Sequence, residues 1–323
     1  MATYKEIFGT NIEVLASDPA NPVNGQVWYN STSNVVKGFV VTTAGSWATG
    51  GDLNTARAQL AGMGASNTAA LAAGSGPSPQ GFTESYNGSA WTEVNDLNTG
   101  RTYVNGDGTQ TSGIIAGGYS TTYLALTETW NGTSWTEVGD LNNARNSAGV
   151  AAADSTAALA FGGNPSSAPT TSGFTESWNG SAWTEVNDLN TVGNALTGLG
   201  INTAALAIGG SASRAPGLTE SWNGTCWTEV NDQNTGRQSM AAAGTQTAGL
   251  VAGGYSTTSV GLTETWDGTS WSEQNDLSTA RYALAGDGTT TSALAFGGQT
   301  TVSLAATEEW NSPSSSTVTF TDS

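Results

Sequence analysis

A tryptophan-containing phrase recurs through the chain at a nearly constant interval, and this period constrains the fold more than any other feature. The phrase reads TETWNGTSWTEVGDLNNAR from Thr127 to Arg145, and close copies begin at Thr83 and Thr175. The second tryptophan of each copy falls at Trp47, Trp91, Trp135, Trp183, Trp227 and Trp271, so successive copies are 44, 44, 48, 44 and 44 residues apart. Periods of this length indicate a solenoid, a propeller or another repeat array.

One period, from Ser147 to Trp183, contains four short segments with strand-like patterns and no helical periodicity. SAGVAAA and TAALAFGG are apolar runs, whereas FTESW and SAWTEV alternate on either side of Asn179-Gly180. Asn-Gly between alternating segments is a strong hairpin signal, because both residues accept positive φ. We therefore expect an all-β chain with four antiparallel strands per period, called a, b, c and d, forming the blades of a β-propeller.

Six a–b strand pairs predict six blades over residues 41–311. The pairs follow Arg57, Arg101, Arg145, Gly193, Arg237 and Arg281. The last copy has a c strand ending at Trp310 but no second tryptophan in frame, whereas GSWATG around Trp47 supplies an unpaired d-type strand at the front. The simplest closure places this front strand in the last blade. The C-terminal segment 312–323, with the alternating STVTFTDS, is a second candidate that would add to it or replace it.

The copies resemble kelch repeats, in which an apolar strand ends in Gly-Gly and is followed by an aromatic residue and a tryptophan. Such glycine pairs stand at Gly117-Gly118, Gly162-Gly163, Gly209-Gly210, Gly253-Gly254 and Gly297-Gly298. The first copy departs from this pattern with Gly74-Ser75-Gly76, and the gap from the aromatic residue to the tryptophan is short for the family. The resemblance implies a six-bladed kelch-like β-propeller. It does not imply a function, because propellers support many activities.

Comparison of the copies with one another separates structural positions from variable ones. An aspartate lies five residues after the second tryptophan in all six copies: Asp52, Asp96, Asp140, Asp188, Asp232 and Asp276. An arginine lies ten residues after it in five copies: Arg57, Arg101, Arg145, Arg237 and Arg281. A catalytic constellation occurs once in a protein, whereas a packing device occurs once per blade. We therefore expect each arginine to reach a neighbouring carboxylate or backbone carbonyl groups and to tie blade to blade. The tryptophan pairs are expected to pack between blades rather than to form sugar platforms.

Composition excludes several classes of function. The formal charge of −18, from 26 acids and 8 bases, disfavours nucleic acid and anionic membrane surfaces as partners. The chain has no histidine, the commonest general base and a frequent metal ligand. Paired carboxylates can hydrolyse glycosides, but every acid pair repeats in register with the period. We expect no enzyme, no catalytic residue, no metal and no cofactor.

The b–c loops vary most between copies, and we expect a binding surface there if the protein has one. They are rich in Ser, Thr, Gly and Pro, with occasional Tyr and Arg, a composition found in adaptable binding loops. The candidates for ligand contact are Tyr119, Tyr123, Arg214 and Tyr255, with Pro165 and Pro169 shaping the longest loop. The alternative is that this loop surface binds no partner.

Residues 1–40 lie outside the period and resemble the leading segment of kelch-like proteins of tailed bacteriophages, especially those of marine bacteria. The phrase from Trp28-Tyr29-Asn30 to Val36-Lys37-Gly38 also resembles short modules of phage tail and fibre proteins. No signal peptide or membrane segment is evident, which predicts synthesis in the host cytoplasm. The resemblance implies a virion structural protein of a tail, fibre or capsid, whose N-terminal arm contacts other virion proteins. Its propeller is expected to face a host glycan or protein, or neighbouring subunits such as further copies of the chain. A secreted or surface carbohydrate-binding propeller is the alternative.

Overall fold

The computed structural model of this 323-residue chain describes residues 12–23, 25–41, 44–76, 78–166, 171–211, 214–312 and 315–320. Regular structure in these ranges consists of β-strands alone. Accordingly, the described part of the chain contains no helix that could cross a membrane. The chain divides into two compact units, one formed by Met1–Gly45 with Ser312–Ser323 and the other by Ser46–Asn311.

The described residues form thirty strands. They are β1 (Glu13–Leu15), β2 (Val27–Asn30), β3 (Val35–Val41), β4 (Ser46–Thr49), β5 (Ala61–Ser66), β6 (Ala69–Ser75), β7 (Gln80–Tyr86), β8 (Trp91–Val94), β9 (Asn105–Thr109), β10 (Ser112–Ala116), β11 (Thr127–Trp130), β12 (Trp135–Val138), β13 (Arg145–Asn146), β14 (Gly149–Asp154), β15 (Ala157–Phe161), β16 (Asn164–Pro165), β17 (Thr175–Trp178), β18 (Trp183–Val186), β19 (Thr197–Ile201), β20 (Ala204–Ile208), β21 (Thr219–Trp222), β22 (Trp227–Val230), β23 (Ala241–Thr245), β24 (Ala248–Ala252), β25 (Thr263–Trp266), β26 (Trp271–Glu273), β27 (Ala285–Thr289), β28 (Ser292–Phe296), β29 (Thr307–Asn311) and β30 (Ser315–Phe320).

The larger unit contains six antiparallel sheets of four strands each. Five of them, taken along the chain, are β5-β6-β7-β8, β9-β10-β11-β12, β14-β15-β17-β18, β19-β20-β21-β22 and β23-β24-β25-β26. The sixth has the order β27-β28-β29-β4, so its fourth strand comes from the front of the unit. In this sheet Trp310 of β29 lies opposite Trp47 of β4, as Trp130 lies opposite Trp135 in the second sheet.

The first strands of the six sheets are neighbours in the order β5, β9, β14, β19, β23 and β27, and β27 also contacts β5. Apolar clusters fill the spaces between successive sheets. Between the first and second sheets, Met63 and Leu71 pack with Ile115, Trp130 and Trp135. Small side chains dominate the inner strands, and the tryptophans supply much of the buried apolar area. This is the architecture of a multi-bladed β-propeller.

The Asn-Gly hairpins form as predicted between the third and fourth strands, but only the glycine has positive φ. At Asn131-Gly132 the glycine has φ of 90°. The asparagine acts through its side chain, whose Oδ1 accepts hydrogen bonds from the backbone N–H groups of Thr133 and Ser134, both at 2.9 Å. This arrangement explains why Asp267 serves equally well in the fifth copy, where it accepts the corresponding two bonds at 2.8 Å.

The smaller unit is one sheet with the order β1-β2-β3-β30. β1 pairs parallel to β2, and the C-terminal strand β30 pairs antiparallel to β3. The C-terminal segment therefore joins this sheet, whereas β4 occupies the fourth place in the last sheet of the larger unit. Asp18 accepts hydrogen bonds from Lys37 at 2.7 Å, Asn30 at 2.7 Å and Trp28 at 3.0 Å, which lower its pKa to about 2. Residues 1–11 of the sequence-defined arm lie outside the described residues.

Candidate functional site

Each repeated arginine lies in the connection between two sheets and pairs with a glutamate in the third strand of the following sheet. The pairs are Arg57–Glu84 at 3.1 Å, Arg101–Glu128 at 2.9 Å, Arg145–Glu176 at 3.2 Å, Arg237–Glu264, and Arg281–Glu308 at 2.8 Å. All ten residues are buried. The arginines also donate to backbone carbonyl groups of the same sheet, as Arg57 does to Phe82 at 2.8 Å. Burial lowers the pKa of Arg145, and the Glu176 charge opposes this shift.

The other oxygen of each glutamate binds the connection a second time. Glu128 Oε2 accepts hydrogen bonds from the backbone N–H and the side-chain amide of Asn98, both at 2.8 Å. The same amide reaches the carbonyl of Trp135 at 3.1 Å. Each connection is thus attached to the sheet that it leads into through both oxygens of the glutamate. The asparagine recurs in five of the six copies, so comparison of the copies alone could have identified this partner.

The fourth repeat has no arginine at the shared position and obtains one from elsewhere. Gly193 occupies that position, and Arg214, which follows in the b–c loop, pairs with Glu220 instead. The Arg214 side chain also donates to the carbonyls of Gly209 at 2.8 Å and Thr191 at 3.0 Å. Arg214 is only 2% exposed. The prediction that Arg214 contacts a ligand at the surface is therefore wrong, because this residue replaces the missing structural arginine.

The repeated aspartates and tryptophans also have structural partners. Asp140 accepts a hydrogen bond from the backbone N–H of Thr127 at 3.3 Å, which joins the end of the fourth strand to the start of the third. The equivalent bonds involve Asp52, Asp96, Asp188, Asp232 and Asp276. The indole of Trp135 donates to the Thr83 hydroxyl of the preceding sheet at 3.1 Å. The repeated phrase therefore holds sheets together, within each sheet and between neighbours.

A ring of unusual backbone conformations surrounds one end of the inner strands. The residue two positions after each arginine site has φ between 51° and 58° although none is glycine: Gln59, Tyr103, Ser147, Ala195, Ser239 and Ala283. Such a conformation costs about 1 kcal/mol or more per residue. Hydrogen bonds between successive ring members hold it, as where Ala195 N–H donates to Ser147 at 3.0 Å and Ser239 N–H to Ala195 at 3.1 Å. Residues held in this way often border functional sites.

These six residues line the mouth of a cavity of about 290 Å³, which we call the axial cavity. Its wall is completed by the beginnings of the inner strands and by Tyr282 and Gln299. Polar groups come from Gln59, Tyr103, Ser147 and Ser239 and from Tyr282 and Gln299, and apolar surface comes from leucines, Val104 and Met240. No described residue that lines the axial cavity carries a charge.

The tyrosines predicted from the b–c loops lie on the same end as the axial cavity but outside its wall. Tyr119 and Tyr123 contact each other edge to face, with their ring centroids 5.6 Å apart, and Tyr123 is 37% exposed. Tyr255 packs against Tyr282 at 5.2 Å and so supports a residue of the wall. Pro165 is buried in the short strand β16, and Pro169 lies outside the described residues.

The ring residues that line the axial cavity were not predicted from the sequence. The position two after each arginine reads Gln, Tyr, Ser, Ala, Ser and Ala, so its variation between copies was a signal that could have found them.

A second cavity, of about 260 Å³, lies at the other end of the inner strands and contains two aspartates. Asp107 and Asp287 occupy a position that is apolar in the other copies, where Met63 and Leu199 stand. Asp107 accepts hydrogen bonds from Gly108 at 2.6 Å and from Ala152 of the next sheet at 2.8 Å. Burial raises the pKa of Asp107 to about 7, and burial with the nearby Asp107 charge raises the pKa of Asp287 well above its ordinary range. No cluster of three metal-ligating side chains occurs within the described ranges.

Comparison with known proteins identifies the fold and no family. No protein-family model and no curated protein sequence matches the chain. Among solved structures, that of YjhT is similar with a TM-score of 0.64 at 12% identity, over 79% of this chain and 95% of the YjhT chain. At this level of identity the similarity concerns the fold alone.

Proposed function

We propose that the larger unit is a closed, six-bladed, kelch-like β-propeller. Three observations support this proposal: the six four-stranded sheets, the contact between β27 and β5, and the pairing of β4 with β29. In this reading β4 closes the ring by completing the last blade. The Arg57–Glu84 ion pair joins the connection after β4 to the first sheet and so stabilises the junction between the last and first blades.

On this scaffold, the protein acts as a non-enzymatic recognition module of a tailed-bacteriophage particle. The observation that carries the proposal is the axial cavity, an uncharged, rigidly framed concavity on the end of the unit that also bears the variable b–c loops. The repeated aspartates, third-strand glutamates and arginines are engaged in structural bonds, which favours recognition by the residues that differ between copies. The resemblance of the N-terminal segment to modules of phage tail and fibre proteins supports attachment to a particle.

Competition for adsorption tests this function. Purified protein, added to host cells before the phage, should occupy the receptor and slow adsorption in a concentration-dependent way. The matched variant is Tyr103→Gly, which removes an exposed ring of the cavity mouth at a position where glycine is conformationally favoured. Loss of competition by this variant supports recognition through the cavity. Equal competition by Tyr103→Gly, or no competition by the unaltered protein, refutes it.

A secreted or surface carbohydrate-binding propeller is the competing proposal, because the axial cavity would serve a lectin equally well. The location of the protein separates the two functions. A virion protein co-sediments with particles, whereas a secreted lectin is recovered from the medium or the bacterial surface.

A further inference from the structure

The axial cavity has the size of a site for a small ligand. A volume of about 290 Å³ is at the lower end of the roughly 300–1,000 Å³ range of small-molecule sites. This size favours a compact ligand such as a single sugar ring with its hydroxyl groups. A folded peptide or an extended oligosaccharide would not fit inside, although either could continue across the rim.

The charge distribution selects an uncharged ligand. The chain has 26 acids and 8 bases, yet none of these lies in the described wall of the axial cavity. A charged ligand would lose hydration on entry and find no opposite charge, which is costly. The overall charge of −18 would repel an anion still further.

The wall combines two kinds of surface that a saccharide also combines. Tyr103, which is 44% exposed, and Tyr282 present aromatic rings suited to the C–H faces of a pyranose. Gln59, Gln299 and the two serines offer amide and hydroxyl groups, which both donate and accept hydrogen bonds and therefore match sugar hydroxyls. A purely apolar ligand would leave the two serine hydroxyls and the Gln299 amide without partners.

The site is also held in place before any ligand binds. Tyr282 packs against Tyr255 with the rings tilted by 59°, and it exchanges two backbone hydrogen bonds with Gln299, at 3.1 and 2.9 Å. Gln59 Oε1 accepts from the Thr102 hydroxyl at 2.7 Å. Preorganised walls reduce the entropic cost of binding a small polar ligand.

We propose that the axial cavity binds one neutral pyranose, a hexose or an N-acetylhexosamine at the end of a glycan. This inference rests on the proposed recognition function and names its ligand class. Tyr103 and Tyr282 contact the ring faces, and the amides and serines bind the hydroxyl groups. Specificity against charged sugars follows from the uncharged wall.

Saturation-transfer NMR and calorimetry with the full chain test the proposal. The probes are the methyl glycosides of glucose, galactose, mannose and N-acetylglucosamine at millimolar concentration, with glucuronate and glucosamine as charged comparators. We expect transfer to at least one neutral glycoside and at least tenfold weaker binding of both charged sugars. Tyr103→Gly should weaken binding about tenfold, with an unchanged or higher Tm that shows intact folding. Ile201→Ala, which changes an exposed apolar residue at the opposite end of the inner strands, should bind normally.

Absence of transfer to all four neutral glycosides would overturn the proposal. So would unchanged affinity of Tyr103→Gly, or equal binding of glucuronate. These results are independent of the particle: a chain that binds a neutral glycoside but is missing from virions would refute the phage assignment and leave the saccharide site standing. Binding to host cells without any saccharide binding would refute the ligand class alone.

Discussion

Removing the buried arginine of the fourth repeat should destabilise the protein, and placing an arginine at the position used by the other repeats should restore most of the lost stability. Arg214→Ala leaves Glu220 buried with its counter-charge gone and removes the bonds to Gly209 and Thr191. Breaking a buried ion pair from one side costs about 3–5 kcal/mol. In a unit of this size the loss corresponds to roughly 10 °C in Tm.

The double variant Gly193→Arg/Arg214→Gly returns the arginine to the position used by the other five repeats. Gly193 N–H already donates to Ser172, as Arg145 N–H donates to Leu124, so the backbone at this site matches its sister. A Cβ on Gly193 would lie 2.9 Å from Cδ and 3.0 Å from Cβ of Arg214, and glycine at 214 removes both atoms. We therefore expect recovery to within about 1 kcal/mol, the cost of the added glycine.

The free energy of unfolding and the Tm are measured by chemical denaturation and differential scanning calorimetry. The four proteins compared are the unaltered protein, Arg214→Ala, Gly193→Arg and the double variant. Gly193→Arg alone should destabilise, because it clashes with Arg214 and adds a second buried cation. If Arg214→Ala is as stable as the unaltered protein, or if the double variant is no more stable than Arg214→Ala, then Arg214 does not replace the repeated arginine.

Three further perturbations test other parts of the structure. The folded-state pKa of Asp107 is raised to about 7. Between about pH 4 and 7 the folded protein therefore keeps a proton that the unfolded chain has lost, so the free energy of unfolding should fall as pH rises through this window. Asp107→Asn should reduce that dependence in denaturation series at several pH values. Asp154→Asn, whose amide oxygen can still accept the bond from the Thr156 N–H at its turn, should not; parallel curves for Asp107→Asn and the unaltered protein would contradict this. Trp135→Phe removes the bond to Thr83 of the preceding sheet and should cost about 1–3 kcal/mol in chemical denaturation, so full stability would show that the indole N–H contributes nothing. Asp140→Ala should cost about 0.5–1.5 kcal/mol through the lost acceptor for Thr127, and Asp140→Asn should cost less by the same assay; equal losses would argue against the hydrogen bond as the cause.

Local patterns in the sequence accounted for the strands and hairpins because they depend on nearby residues. The Asn-Gly turns, the apolar inner strands and the per-copy role of Arg57 and its equivalents all follow from comparing one copy with another. The partner of each arginine, the third-strand glutamate, recurs as regularly but was not paired with it, because the two residues are 27 or more positions apart and only the tertiary structure joins them.

Other features depend on tertiary contacts that no local pattern reveals. Gln59 and Tyr103 are not residues that favour positive φ, and the hydrogen-bonded ring of the larger unit overrides their preference. Arg214 looked like a surface residue because its loop is irregular and polar. Its burial follows from the gap that Gly193 leaves, which is visible only when the two positions are seen together.

The most direct test of the proposed function is quantitative mass spectrometry of particles purified through a density gradient from a lysate of a phage that encodes this chain. For a virion protein, peptides of the chain should peak in the same fractions as the major capsid protein, at a constant molar ratio across the peak. Recovery of the chain only in the particle-free fractions would contradict a virion role.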